Sequence, residues 1–358
     1  MAFKGREKHF FLGGNTPKGF YSYYDYLLPQ ESARKIYCIK GGPGTGKSTL
    51  MKKISAVAVK KGADVEFAHC SSDPDSLDGV IIKPANIAFV DGTSPHIVDP
   101  KTPGAVDQIL YMGDCWDADA LNRHKEGIIK TNQRIGEQFK RAYVYLASAK
   151  LLQNDLDTIY AKSMKGNVHA TFEENIIFQE FAEIPVSEVR GNVRKLFASG
   201  ITPKGLVNFT DTILDGYKTY IIKGYGSNCI KRICDIAVNR GFDVEAYYCP
   251  FAPDERIDHL IVPKLNLAFT VSNAYHTYDK GEVVDFDEFA SKYILEKYKD
   301  EREFALYEIE RLINRAVSTI AVAKQYHDEL EKYYIPAMDF SKLDEVIEKT
   351  MKEVLEFI

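Results

Sequence analysis

Paired cysteines are missing from this chain. Its 358 residues include six cysteines, and none falls in a close Cys-x-x-Cys pair. That argues against a zinc knuckle and against a disulfide framework. Unbridged thiols fit a reducing compartment. No apolar run approaches the roughly 20 residues of a membrane-spanning helix. The N-terminal MAFKGREKHFFLGG has neither a long apolar core nor a small-residue cleavage site, so it does not read as a secretion signal. Excess positive charge is lacking too. A formal net charge of −5 leaves no generic footprint for nucleic acid. The absences together describe a cytoplasmic protein with no membrane partner, and they argue against a nucleic-acid partner.

What is present is a hydrophobic share of 45%, enough for two ordinary domains with separate cores. The chain also repeats itself. GNTPKGF (Gly14–Phe20) is answered by GITPKGL (Gly200–Leu206), and YCIKG (Tyr37–Gly41) by YIIKG (Tyr220–Gly224). KKGADVEFAHC (Lys60–Cys70) returns as NRGFDVEAYYC (Asn239–Cys249), and IAFVDGTSPH (Ile87–His96) as LAFTVSNAYH (Leu267–His276). RAYVYLASAK (Arg141–Lys150) returns as RAVSTIAVAK (Arg315–Lys324). Matches in one order along the chain read as an internal duplication. The first copy covers residues 8 to 165 and the second 194 to 340, giving domains at 1–185 and 186–358. KGNVHATFEENIIFQEF between them has no sequence counterpart and reads as a connection. SKLDEVIEKTMKEVLEFI predicts an amphipathic C-terminal helix with Ser341 as its N-cap.

In copy one, Ile36–Ile39 is a short apolar run ending at glycines, as a buried parallel strand does. Leu50, Met51, Ile54, Val57 and Ala58 then share one helical face, with Gly62 just past the end. Val65–Cys70 and Ile87–Val90 read as further strands. This order predicts an α/β layer with a mainly parallel sheet. From Arg123 to Ala161 the pattern changes: Ile128, Ile135, Ala142, Ala149 and Leu156 recur every seven residues, and Ile309, Ala316, Ala323 and Leu330 repeat the stripe. Small residues in such a stripe predict either long helices packed as an antiparallel pair or core-facing helices within each domain.

The chemistry sits in Gly41-Gly42-Pro43-Gly44-Thr45-Gly46-Lys47-Ser48-Thr49, which fits G-x-x-x-x-G-K-[ST] between a strand and a helix. Glycines let backbone N–H groups curl around a phosphate, and the helix start favours the anion. Lys47 would meet the β/γ-phosphates of ATP, and Ser48 would hold Mg2+. Asp91, ending the strand NIAFVD, reads either as a second Mg2+ ligand through water or as a turn aspartate before Gly92. Copy two has Val271 at that position and lacks the lysine and the glycine loop.

These residues resemble a P-loop NTPase. The string TPKG…IKGGPGTGKSTLM…DGTSPH is similar to an uncharacterised bacterial family of tandem P-loop ATPase-like proteins. The resemblance implies two tandem three-layer P-loop NTPase-like domains, mainly parallel, each with a long helical segment. The second is degenerate and pairs within the molecule with the first. It implies ATP and Mg2+ as ligands and an ATPase active in the first copy. The alternatives are a kinase for a nucleoside or other small acceptor, or a nucleotide-dependent switch that recruits a protein partner. No Asn-Lys-x-Asp motif supports guanine selection, and no LSGGQ-type signature supports a transport ATPase.

Several further residues are candidates. HCSSDPDSLDG (His69–Gly79) reads as a loop facing the ligand crevice, with Asp73 the candidate catalytic carboxylate because copy two has Ala252 there. Cys70 and Asp75 or Asp78 are matched in copy two and read as turn-stabilising residues. His96 is matched by His276 and reads as either structural or catalytic. Asp99, Asp114 and Cys115 are candidates for a second metal or substrate site. Lys18 and Lys204 either reach a phosphate or base or belong to surface turns. Arg141 and Arg315 read as arginine fingers or as helix-surface residues. The tyrosines of GFYSYYDYLL either stack a base or pack as an amphipathic helix.

Overall fold

The computed structural model describes residues 4–94, 96–225 and 229–358. Gly226–Asn228, in the stretch where copy two lacks the glycine loop, therefore lie outside the described residues. In the first half, β1 (Glu7–Phe11) leads into a hairpin of β2 (Gly13–Thr16) and β3 (Gly19–Ser22). β4 (Lys35–Lys40), α1 (Lys47–Lys60), β5 (Val65–Cys70), β6 (Asp73–Ile82), β7 (Ile87–Asp91) and β8 (Asp107–Tyr111) follow. The half continues through α2 (Ala118–Arg123), α3 (Lys125–Ser163) and α4 (Val168–Ile176). The second half runs β9 (Val193–Leu196), β10 (Ser199–Thr202), β11 (Gly205–Asn208), α5 (Thr210–Leu214), β12 (Lys218–Lys223) and α6 (Cys229–Asn239). It then adds β13 (Val244–Tyr248), β14 (Ile257–Val262), β15 (Leu267–Val271), β16 (Glu282–Asp285), α7 (Lys292–Lys297), α8 (Lys299–Tyr334) and α9 (Phe340–Leu355).

The chain is mixed α/β with two six-stranded, mainly parallel sheets. One has the order β1-β5-β6-β7-β4-β8, and the other β9-β13-β14-β15-β12-β16, the same order position for position. β4 pairs in parallel with β7 and β8, and β12 with β15 and β16. β6 and β14 are antiparallel to both neighbours. β6 corrects the sequence reading: Asp73, Asp75 and Asp78 lie on this strand and not on a loop. The turn formers at its start disguise it. Its later residues, Leu77–Ile82, are all buried, as a two-sided central strand requires.

Helix α1 buries Leu50, Met51, Ile54 and Ala58 against the first sheet, on the face the spacing predicts, with Val57 half-buried. Gly62 closes it at φ +94°, a left-handed position that suits glycine. GFYSYYDYLL forms no amphipathic helix. It is β3 followed by a single 3-10 turn, with Tyr23 and Tyr24 buried.

The long helices form an antiparallel pair. Ala142 and Leu146 meet Ala316 and Ile320, while Leu156 meets Ala305 and Ile309 further along. Small side chains at the seam permit the close approach. The pair carries each half's last helix onto the other half. Ile176 of α4 and Phe181 just beyond it join the core of the second sheet. Leu343, Ile347 and Val354 of α9 join the core of the first. The segment read as a connection thus occupies the place in one half that α9 occupies in the other. Asp339, not Ser341, caps α9, its carboxylate accepting the N–H groups of Ser341 and Lys342. Asp339 lies one residue outside the helix, where a side chain can reach the exposed amides.

The halves also join at β1 and β9, where Phe11 and Phe197 exchange two backbone hydrogen bonds. Around them Lys8, Glu66, Arg194 and Glu245 form a four-charge cluster, with Lys8–Glu245 at 2.7 Å and Arg194–Glu66 at 2.8 Å. Burial alone would raise both carboxyls, but the two cations outweigh it and hold Glu66 and Glu245 below the usual range.

Candidate functional site

The glycine-rich segment is the turn between β4 and α1, residues 41–46. Gly46 is the N-cap of α1 at φ +85°, and no side chain caps the helix. Its first amides are therefore left for another acceptor, the arrangement that favours an anion. Lys47 folds back over the turn, donating from Nζ to the carbonyl oxygens of Gly41 (3.0 Å) and Gly42 (2.7 Å). Thr45 is buried and its hydroxyl donates to the Gly42 carbonyl. Pro43 is half-buried, and Thr49 faces solvent on the first turn of the helix.

Strand pairing brings Asp91 to this turn, because β7 lies beside β4 with Ile39 opposite Asp91. Asp91 Oδ2 is 3.5 Å from Lys47 Nζ. Its Oδ1 accepts the Thr93 N–H at 2.9 Å. The two alternatives read from the sequence, site carboxylate and turn aspartate, are thus compatible in one residue. Ser48 Oγ accepts the Leu77 N–H at 3.0 Å, linking α1 to β6.

Asp78 follows on β6, with its side chain 6% exposed. Tyr24 donates its hydroxyl to Asp78 Oδ2 at 2.6 Å, and the His96 Nε2 lies 3.7 Å from Oδ1. Tyr24 also stacks on the His96 ring, centroids 4.8 Å apart. Burial pushes the Asp78 carboxyl above the usual carboxylate range; the Asp91 charge adds to this, and His96 opposes it. Asp78, Asp91 and His96 each place one donor atom within 4.8 Å of the others. Sequence reasoning named Asp78 and Tyr24 but left the first as a turn residue and the second as a base-stacking or packing tyrosine, and did not join them. The signal for Asp78 was its place in SLDGVII, an apolar stretch in which a lone carboxylate needs partners.

Other candidates go elsewhere. Asp73 is held by Ser76 Oγ at 3.0 Å and faces Lys324 of α8 at 3.6 Å, outside the Asp78–Asp91–His96 group. Cys70 is half-buried, and desolvation beside Asp78 raises its thiol well above the ordinary value. Asp99 pairs with Lys40 at 2.7 Å, and Cys115 is buried in the core under α9. Among the described residues, Asp99, Asp114 and Cys115 form no metal-holding group. Lys204 pairs with Asp75 and Lys18 with Glu255, so each TPKG hairpin ties onto the opposite half. Arg315 stacks over Tyr145 of the neighbouring long helix, and Arg141 is exposed.

The turn is roofed by the second half. A Cβ on Gly42 would meet Tyr334 at 2.4 Å, one on Gly44 would meet Ile335 at 2.8 Å, and one on Gly46 would meet Leu343 at 2.6 Å. The end of α8 and the start of α9 therefore lie directly on the turn.

Comparison of the chain with protein-family models, with curated proteins and with solved structures finds no match. Among the described residues no helix is long and apolar enough to cross a membrane.

Proposed function

We propose that this chain is a P-loop NTPase that binds Mg2+-ATP in its N-terminal half and hydrolyses it there. The second half is then a degenerate copy that closes over the first. The observation that carries the reading is the meeting of Lys47 with Asp91, at 3.5 Å, over the uncapped start of α1. An ammonium, a carboxylate and a row of free amides at one helix start suit a metal-bound triphosphate better than they suit a core.

The residues fit Mg2+. Among the described residues Asp91 Oδ2 faces Lys47 at 3.5 Å, and Ser48 Oγ retains acceptor capacity beside its bond from Leu77. When bound with the nucleotide, Mg2+ would neutralise part of the triphosphate charge. Lys47 would leave the Gly41 and Gly42 carbonyls for the phosphates. The amides of residues 44–48 would take the place of solvent around them. Asp73, in contact with Lys324, stands outside this group and is not assigned the catalytic base.

The roof over the turn favours a second reading, a nucleotide-dependent switch. Tyr334, Ile335 and Leu343 of the second half pack directly on the glycine turn, so a change at the turn is passed to the long helix and α9. Phosphate release from ATP and Mg2+, with no added acceptor, tests the reaction. Turnover that is lost in Lys47→Ala supports hydrolysis. ADP formation that requires an added alcohol supports a kinase, and tight binding with negligible turnover supports the switch.

A further inference from the structure

The buried aspartate of β6 has a twin, and the twins are neutralised differently. Val262 pairs with Leu267 in the second sheet as Ile82 pairs with Ile87 in the first, which sets Asp258 of β14 at the place of Asp78. Asp258 is 2% exposed and is bridged by Arg256 at 3.0 Å. Arg256 stands two residues earlier on the strand, where the first half has Ser76. Ser76 donates to Asp73 and supplies no charge to Asp78. The first half also adds a second carboxylate, Asp91, where the second half has Val271. One half thus buries one carboxylate with an arginine. The other brings two carboxylates within 4.8 Å, with Lys47 near only one of them.

Charge of this kind needs a cation or a proton. The geometry around the pair supplies a third donor. His96 is 9% exposed at its side chain, its Nε2 faces Asp78, and among the described residues its buried Nδ1 has no hydrogen-bond partner. A cation bonded at about 2.1 Å holds adjacent donors about 3 Å apart and opposite donors about 4.2 Å apart. The donor atoms here lie within 4.8 Å of one another, about 0.6 Å beyond the opposite-donor separation.

We infer that Asp78, Asp91 and His96 form a protein-held site for one divalent first-row metal ion, filled without nucleotide. Two carboxylates and an imidazole suit Mn2+, Fe2+ or Zn2+ better than the all-oxygen surroundings Mg2+ prefers. Tyr24, stacked on His96 and hydrogen-bonded to Asp78, fixes both donors as an outer partner does in metal sites. The site shares Asp91 with the proposed nucleotide pocket but needs neither Lys47 nor ATP.

The test is Mn2+ binding to the nucleotide-free full chain, followed by loss of the free-ion paramagnetic signal. One ion per chain is expected. His96→Ala should weaken it at least tenfold, and Arg232→Ala, on α6 of the second half, should leave it within about threefold. Ser76→Arg copies the second half's internal cation and should abolish the site in a chain that still melts cooperatively. Absence of Mn2+ uptake by wild type at millimolar concentration overturns the inference, and so does uptake unchanged in both His96→Ala and Ser76→Arg. If Mn2+ binds as expected but Mg2+-ATP does not, this site stands and the nucleotide proposal falls; the reverse result separates them equally well.

Discussion

The strands beside the first strand–helix turn and the matching strands of the second half share one six-strand order. They solve different electrostatic problems. In the first, Lys47, Ser48, Asp78, Asp91 and His96 converge on an uncapped helix start. In the second, Val271 replaces Asp91, and Arg256 bridges the remaining Asp258. Cys249 also accepts from Arg256, at 2.7 Å, so the arginine is a structural centre there. A carboxylate at one place in both halves is thus bridged by an arginine in one, and in the other is held by a tyrosine hydroxyl beside a second carboxylate.

The comparison can be broken most directly at Arg256. Arg256→Ala leaves Asp258 buried and unpaired and is expected to destabilise the chain by about 3–5 kcal/mol. Ser76→Ala should stay within about 0.5 kcal/mol. Denaturant titration of both variants checks this, and equal costs would sink the contrast. Exchanging the next position comes second. Val271→Asp buries a new carboxylate at a site 5% exposed and should cost about 3 kcal/mol. Asp91→Val relieves like charge at Asp78 and should stay within about 1 kcal/mol in nucleotide-free protein. A large loss in the second variant would show that Asp91 is structural.

Gly46→Ala is expected to cost about 1–3 kcal/mol, because φ is +85° and Leu343 lies 2.6 Å from the added carbon. Gly205→Ala, at φ +102° with open space around it, isolates the backbone part of that cost. Melting temperatures of the two variants separate strain from the roof contact, and equal shifts would mean that the roof does not press on the turn.

The smallest effect concerns the interface shared by both halves. Glu66 and Glu245 are held low by Arg194 and Lys8 against the pull of burial. A carboxyl depressed in the folded state stabilises above its unfolded value of about 4.3, and that stability is lost as pH falls below it. Melting temperature should therefore start to drop below about pH 5 and go on falling toward pH 3, because the unfolded chain takes up protons that the folded carboxyls still refuse. A flat profile across that window contradicts the assignment.

The sheets, the long helices and the strand–turn–helix site were legible because each writes a local period. Leu50, Met51, Ile54 and Ala58 show a helix face without reference to anything distant. Strand β6 was not legible, since Asp73, Pro74, Asp75 and Ser76 carry turn chemistry into a strand. The crossing of α4 and α9 onto opposite halves was also hidden. An amphipathic face such as Leu343, Ile347 and Val354 states that it will be covered, but not by which sheet. Asp78 was read as a turn residue because its twin survives in the second half. Asp258, at the matching strand position, has a different partner, Arg256.

Calorimetric titration of the full chain with Mg2+-ATP tests the central claim most directly. One nucleotide per chain is expected, with affinity falling at least tenfold in Lys47→Ala and unchanged in Arg232→Ala, whose guanidinium lies on α6 in the second half and pairs with Glu173. No heat of binding, binding untouched by Lys47→Ala, or two nucleotides per chain would contradict the account.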